Sequence, residues 1–216
     1  MFDGIDRPAW FPDWSGHIAA IVASGPSAKK ANLEVLSQKA LVRVLAIKES
    51  HRLCRPDVIY GCDRAWWHAN RGMPDFRGLR VAYDPLLREQ YPNIRLIGIS
   101  LHEDRFIMDR PGIVGSGGNS GFQAINLAIQ FGARQIVLIG FDMHDKSGPH
   151  WYGRNEWDGA NNPGENNFHR WRAGFAKAAA EISNIGIDVA NATRYSELKP
   201  FRFVPSVEVA LQEWKV

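Results

Sequence analysis

The run His17-Ile18-Ala19-Ala20-Ile21-Val22-Ala23 breaks abruptly at Ser24-Gly25-Pro26-Ser27, and this junction constrains the fold more than any other stretch of the chain. A short, continuous, β-branched and apolar run reads as a strand buried on both faces, the kind found inside parallel sheets. The Gly-Pro pair then imposes a tight turn. Residues 28–36 have a helix-like pattern, so the chain opens as strand, turn, helix. Further strands are expected over residues 42–47 and 58–61, the latter ending in Cys62-Asp63, with weaker ones over 79–82 and 94–97. Gln135-Ile136-Val137-Leu138-Ile139, ending in Gly140-Phe141-Asp142, is again fit for the middle of a parallel sheet. Strands alternating with helices require right-handed crossovers. The expected fold is therefore α/β and Rossmann-like, a mainly parallel sheet with helices on both faces.

Composition fits a single domain over residues 1–216. The chain is 45% hydrophobic and 11% aromatic, enough for a sizeable core and far from a disordered composition. Its 26 Lys and Arg against 23 Asp and Glu leave a charge of +3 without a basic run, which excludes a dedicated nucleic-acid binder but suits an anionic small molecule. Cys54 and Cys62 form neither a disulfide framework nor a zinc pattern and fit a reducing compartment. Met1-Phe2-Asp3-Gly4-Ile5-Asp6 has acids where a leader would have bases, and no apolar stretch approaches the ~18 residues of a membrane span. A cytoplasmic location with no membrane contact is expected, and a homo-oligomer is left open.

A second glycine-rich stretch, Gly115-Ser116-Gly117-Gly118-Asn119-Ser120-Gly121, leads into residues 122–131, apolar on nearly every side and hence a buried helix stopped by Gly132. Residues 143–166 are rich in Gly, Asn, Trp and charge without periodicity and read as a lid loop. Asn166 or Asn167 then caps a helix whose apolar face is Trp171, Phe175, Ala178 and Ile182. A strand over 187–190 and a closing helix over 207–214 complete the pattern.

In open parallel sheets ligands bind beyond the carboxyl ends of the strands, near a switch in strand order, and the chemistry-bearing residues fall at such ends. Gly25 permits close backbone approach, Pro26 presets the turn, and Ser24 and Ser27 add hydroxyls beside helix-terminal N–H groups that favour an anion. An ordinary strand-to-helix turn is the alternative. Gly117, Gly118, Asn119 and Ser120 present backbone N–H groups and side-chain donors that can converge on phosphate oxygens. The spacing is neither a P-loop nor a dinucleotide fingerprint, and a flexible connection is the alternative.

Asp63 and Asp142 can accept from ribose hydroxyls or hold Mg²⁺, or else cap their loops. His169 is expected in the first turn of its helix, where the macrodipole favours a neutral imidazole able to act as a base. Arg172, three residues on, shares that face and can meet phosphate. His144, Asp145, His150 and Asp158 match no standard metal set and read as polar surface. Trp66, Trp67, Trp151, Tyr152 and Trp157 either stack on a base or sugar or anchor their loops.

Ile21-Val22-Ala23-Ser24-Gly25-Pro26-Ser27, Asn119-Ser120-Gly121 opening a helix, and residues 136–142 together resemble the DUF115 proteins, which include the MptE-like 6-hydroxymethylpterin diphosphokinases. A similar motif order occurs in the sialyltransferases of glycosyltransferase family 42. Asp57-Val58-Ile59-Tyr60-Gly61-Cys62-Asp63 with Trp66-Trp67 resembles phage and prophage proteins. The resemblance spans roughly residues 17–190 in motif order. It implies a Rossmann-like fold, a nucleotide or nucleotide-sugar ligand held by Ser24, Gly25, Ser27, Asn119, Ser120 and Asp142, and His169 in the place of the sialyltransferases' general base. Lys48 stands where such sequences often have Asn, so the donor's base or sugar is left open.

The reading that follows is a nucleotide-dependent transferase moving a glycosyl or (di)phosphoryl group to an acceptor hydroxyl. His169 would be the base, and Arg172 or Lys48 would offset charge on the leaving phosphate. The acceptor is open among a glycan, a pterin-like molecule and a modified nucleobase. The rivals are an MptE-like Mg²⁺-dependent diphosphokinase and a non-catalytic nucleotide-binding or phage assembly protein.

Overall fold

The structure is a computed structural model that describes residues 6–216. The leader reading of Met1 to Ile5 therefore lies outside the described residues. In chain order the elements are β1 (Ile18–Val22), α1 (Glu34–Ser37), β2 (Val42–Ile47), β3 (Val58–Gly61), α2 (Arg64–Ala69), β4 (Leu79–Ala82), α3 (Leu87–Gln90), β5 (Arg95–Leu96), β6 (Gly98–Ser100), β7 (Ile113–Gly115), α4 (Ser120–Gln130), β8 (Gln135–Ile139), α5 (Glu165–Ser183), β9 (Asp188–Asn191), β10 (Arg202–Phe203) and α6 (Val207–Glu213). Eight strands form one sheet in the order β10-β9-β8-β1-β2-β3-β4-β5, every pairing parallel, and β6 and β7 form a small second sheet.

The alternation along β1 explains why both faces must be covered. Ala19 and Ile21 join a core built with α4 and α5, whereas Ile18, Ala20 and Val22 join one built with α1 and α6. Burying a residue such as Ile18 or Ile21 stabilises the fold by roughly 1.5–3 kcal/mol, so β1 has nowhere to sit but the centre of the sheet. A third cluster gathers Ile59, Trp66, Trp67 and Leu87 around β3 and β4.

Helix α4 is buried along its whole length and ends, as read from the sequence, just before Gly132, whose φ of +107° suits the left-handed region. It is less apolar than its pattern suggests, because Gln123, Asn126 and Gln130 form a polar stripe at helical spacing. The Asn126 Oδ1 accepts from Ile107 N at 2.8 Å and Gly115 N at 2.9 Å, and its Nδ2 donates to Ile107 O at 2.8 Å. Gln130 donates to Ile107 O and Ile113 O, and Gln123 donates to Ser116 O while accepting from the Tyr60 hydroxyl. These amides satisfy the irregular backbone of residues 106–116, which would otherwise be buried without partners, and so fix the entry to the glycine stretch.

Three boundaries differ from expectation. Residues 28–36 do not form one helix: a 3-10 turn over Pro26–Lys30 gives way to an extended Ala31 (φ −78°, ψ 146°) before the short α1. Proline starts a helical turn readily but does nothing to prolong it. The strand read over 94–97 is only Arg95–Leu96, because the chain leaves the main sheet and enters the second one at Gly98. Helix α5 starts at Glu165 with Gly164 as N-cap; Asn166 and Asn167, the two candidates for the cap, both lie inside, the Asn167 Oδ1 accepting from Gly164 N at 3.0 Å.

Candidate functional site

The sheet registers bring four strand ends to one rim. Val22 lies opposite both Ala46 and Ile139, and Ile47 lies opposite Tyr60. After β1 the chain builds outward through β2 to β5, and it then returns to place β8 on the other flank of β1. The crevice between β1 and β8 is thus the switch in strand order, where ligands of such sheets bind. A cavity of about 440 Å³ opens there, walled by the turns after β1, β2, β3 and β8, the start of α4, residues of the 149–163 segment, and Asn167, Phe168 and Trp171 of α5. That volume is typical of a small-molecule site.

The turns after β1 and β8 are tied to each other. Gly25 N donates to Gly140 O at 3.0 Å, Ser27 N to Asp142 Oδ1 at 3.2 Å, and the Ser27 hydroxyl to Asp142 Oδ2 at 2.7 Å. A Cβ at Gly25 would overlap Asp142 Oδ2 and press on Gly140 O, so the glycine is required by the approach of the two turns. Burial pushes the Asp142 carboxyl above its ordinary value, and the two bonds from Ser27 only partly offset that. A carboxyl whose ionisation is opposed by burial inside a cleft is a candidate functional group.

Lys48, the residue after β2, has φ +49°, and Met143, beyond Asp142, has φ +58°. Both line the cavity. Non-glycine residues in the left-handed region cost free energy and cluster at binding sites. The Lys48 Nζ meets Asp63 Oδ2 at 2.6 Å, with the lysine side chain 12% exposed. Burial alone would lower the Lys48 pKa; the Asp63 carboxylate, with smaller help from Cys62 and Glu49, outweighs it and raises the value, so the ammonium stays charged. The Cys62 thiol, 3.1 Å from the Ser120 hydroxyl, is pushed up to about 11, chiefly by burial, and is not a reactive thiolate.

The glycine stretch is held from behind. Gly117 N donates to Asp104 Oδ1 at 3.0 Å, and Arg170 of α5 pairs with the same carboxylate. Asn119 caps α4 by accepting from Phe122 N at 2.9 Å and donates to Gly117 O. Its amide is therefore largely occupied within the loop. So are the Gly118 N–H, which donates to the Ser116 hydroxyl at 3.3 Å, and the Ser120 hydroxyl, which meets Cys62, although all three residues line the cavity.

Of the residues read from the sequence, Ser24, Gly25, Lys48, Asp63, Gly118, Asn119, Ser120 and Asp142 line the cavity. Pro26 opens the 3-10 turn, and Ser27 and Gly117 stand behind the wall, bound to Asp142 and Asp104. The structure does not bring His169 or Arg172 to it. With α5 starting at Glu165, His169 is past the first turn, and because Phe168 and Trp171 face the cavity, His169 faces solvent. Arg172 is engaged elsewhere, by Met143 O at 2.7 Å, Glu197 at 2.9 Å and Glu165 at 2.8 Å.

His150, read as polar surface, instead lines the cavity. Its Nδ1 is 3.0 Å from the Ser24 hydroxyl, its Nε2 3.3 Å from Asn155 Nδ2, and its ring stacks on Tyr152. Burial, aided by Lys48 and Arg154, pushes it down to about 4, so it is neutral near pH 7. The available signal was local: Pro149-His150-Trp151-Tyr152 is an aromatic knot inside a segment otherwise rich in Gly and Asn. Of the segment read as a loop over 143–166, residues 143–164 have no helix or strand and the last two already belong to α5; the loop is pinned to the rim by Trp151 N donating to Ser24 O at 2.9 Å. Trp66 and Trp67 are core residues, their indole N–H groups spent on Glu49 and Gly61 O.

The residues present do not fit a resident metal. Asp63 is paired with Lys48 and Asp142 with Ser27, and among the described residues no group of three or more His, Cys, Asp or Glu side chains is placed to hold an ion. Nor, among them, is any helix long and apolar enough to cross a membrane.

An open parallel α/β sheet with a cavity at its strand-order switch defines a Rossmann-like protein. No family model matches the chain, and no curated protein matches it. Among solved structures it is similar to the sialyltransferase CstII from Campylobacter jejuni, determined in complex with a substrate analogue, cytidine-5'-monophosphate (CMP). The TM-score is 0.57 at 10% identity, over 88% of this chain and 85% of that one. The likeness establishes a sialyltransferase-like α/β fold. The resemblances to DUF115 and phage proteins rest on their motifs alone.

Proposed function

We propose that this protein is a nucleotide-dependent transferase that moves a glycosyl group from a nucleotide sugar to an acceptor hydroxyl. The observation that carries the reading is the cavity at the β1/β8 switch, walled by four consecutive strand-end turns, in a fold shared with a sialyltransferase solved with CMP. The Ser24 hydroxyl and the backbone N–H groups at the start of α4 supply donors for phosphate oxygens. Asp142 accepts from ribose hydroxyls. Lys48 offsets the charge that grows on the departing phosphate, worth most in a water-poor cavity. His169 and Arg172, expected as base and phosphate partner, lie outside the wall, and this reading gives them no role.

Lys48 is the one Lys or Arg in the cavity lining among the described residues. With that ammonium paired to Asp63, and with Asp142 also in the lining, the cavity carries too little positive charge to match ATP, which favours glycosyl transfer over an MptE-like diphosphokinase.

A thermal-shift screen of CMP, UMP, CMP- and UDP-linked sugars and ATP, each with Mg²⁺ or with chelator, tests the reading. Ligand at ~100 times its Kd adds about 2.7 kcal/mol of apparent stability, a shift of roughly 5 °C or more for a chain of this size. A shift with a pyrimidine nucleotide in chelator, followed by turnover of the matching nucleotide sugar, is the expected result. A response confined to ATP with Mg²⁺ would move the assignment to the diphosphokinase. Binding without turnover would leave a non-catalytic nucleotide binder, and no shift anywhere would end the nucleotide reading.

A further inference from the structure

The side chains around His150 define the direction of their hydrogen bonds. Asn155 has one amide atom 2.7 Å from Asn161 O, a carbonyl that can only accept, so that atom is the nitrogen. Its other amide atom is then the oxygen, which accepts the Tyr152 hydroxyl proton at 2.7 Å. The second N–H of Asn155 points at His150 Nε2, 3.3 Å away. An N–H donor facing that nitrogen requires Nε2 to bear a lone pair, which leaves the ring proton on Nδ1. Nδ1 therefore donates to the Ser24 hydroxyl oxygen at 3.0 Å. Ser24 is left with its own proton uncommitted, on a residue that lines the cavity.

We propose that Asn155 and His150 are positioning residues of a one-way hydrogen-bond relay that keeps the Ser24 hydroxyl a donor, aimed at an anionic phosphate oxygen of the bound nucleotide. The polarity is the reverse of a nucleophilic Ser-His pair, in which the imidazole accepts from the serine. Ser24 is accordingly a binding group and not a nucleophile. The relay also explains why a neutral histidine and an asparagine, and not an imidazolium and an aspartate, stand on the 149–163 side of the cavity. Because Trp151 N also donates to Ser24 O at 2.9 Å, the segment that completes the wall is the same one that orients the phosphate donor. The phosphate assignment rests on the nucleotide reading; the relay itself does not.

Long-range ¹H–¹⁵N correlation on the full, ligand-free chain reads the His150 tautomer, assigned with His150→Gln, and calorimetry with CMP and with cytidine reads the phosphate contact. Wild-type protein is expected to show Nδ1–H. Asn155→Asp, which can only accept, should switch His150 to Nε2–H and turn the Ser24 proton toward Nδ1. CMP affinity should fall roughly tenfold or more in Asn155→Asp and in Ser24→Ala, as for loss of a hydrogen bond to a charged group, with cytidine unaffected. The double variant should bind CMP no worse than Ser24→Ala alone, since the asparagine acts through the serine. Nε2–H or an imidazolium in the wild type at neutral pH would overturn the relay. Additive losses in the double variant would do the same, and equal losses for CMP and cytidine would overturn the phosphate contact. Failure of wild-type protein to bind either probe would overturn a cytidine nucleotide as the ligand, and the tautomer would still decide the relay.

Discussion

The Ser27 hydroxyl donates to Asp142 Oδ2 at 2.7 Å across 115 residues of chain, joining the turn after β1 to the turn after β8. This bond makes one site of two turns that are far apart in sequence. The bond only partly offsets the burial that opposes the ionisation of Asp142.

Asp142→Asn should therefore stabilise the protein at neutral pH while impairing nucleotide binding. A carboxyl whose folded-state value is raised above 3.8 contributes stability at low pH and loses it as pH rises through the folded value. The advantage of the asparagine variant in urea midpoint should thus be present at pH 7, shrink on acidification and vanish below about 3.8. A constant advantage across that range would show that Asp142 ionises freely.

Gly25→Ala should disrupt both stability and binding. The backbone there is ordinary, with φ −61°, so the whole effect comes from a Cβ driven into Asp142 and Gly140 O. Overpacking of this kind costs about 1–3 kcal/mol. Urea unfolding reads the stability loss, and the accompanying loss of CMP binding should exceed tenfold because the two turns are pushed apart.

Lys48 separates stability from binding. Asparagine tolerates the left-handed conformation better than alanine does, so at φ +49° Lys48→Asn should unfold at a higher urea concentration than Lys48→Ala. Both should lose CMP affinity by about tenfold, since both remove the cavity's ammonium. Equal stability of the two variants would mean that the backbone relaxes away from its positive φ.

Asn126→Ala should be among the most damaging polar substitutions. Asn126 is fully buried, and its loss strands Ile107 N and Gly115 N. At about 1–3 kcal/mol for each unsatisfied buried group, the loss should reach ~3 kcal/mol or more. Native-state hydrogen exchange should show the Gly115 amide losing protection.

The sheet was legible because its strands declare themselves. The runs 18–22 and 135–139 have no polar face, so burial on both sides was the only outcome compatible with their composition. The turns that follow were legible for the same reason, since a parallel strand's carboxyl end is where its loop must go. What escaped was whatever depends on tertiary contact. His169 and Phe168 are neighbours in sequence, and only the start of α5 at Glu165 decides which of them faces the cavity. His150 lay in a segment without periodicity, where nothing in the spacing reveals that Trp151 N reaches Ser24 O. The polar stripe of α4 was hidden because Gln123, Asn126 and Gln130 read as interruptions of an apolar helix until their backbone partners are seen.

The most direct test of a nucleotide site at the β1/β8 switch is a ¹⁵N-¹H titration of the wild-type chain with CMP. Saturable shifts should concentrate in the amides of Gly25, Ser27, Lys48, Gly118, Ser120 and Asp142, with the amides on the exposed face of α5, that of His169 among them, unmoved. Shifts centred elsewhere, or none at millimolar CMP, would contradict a nucleotide site at the switch.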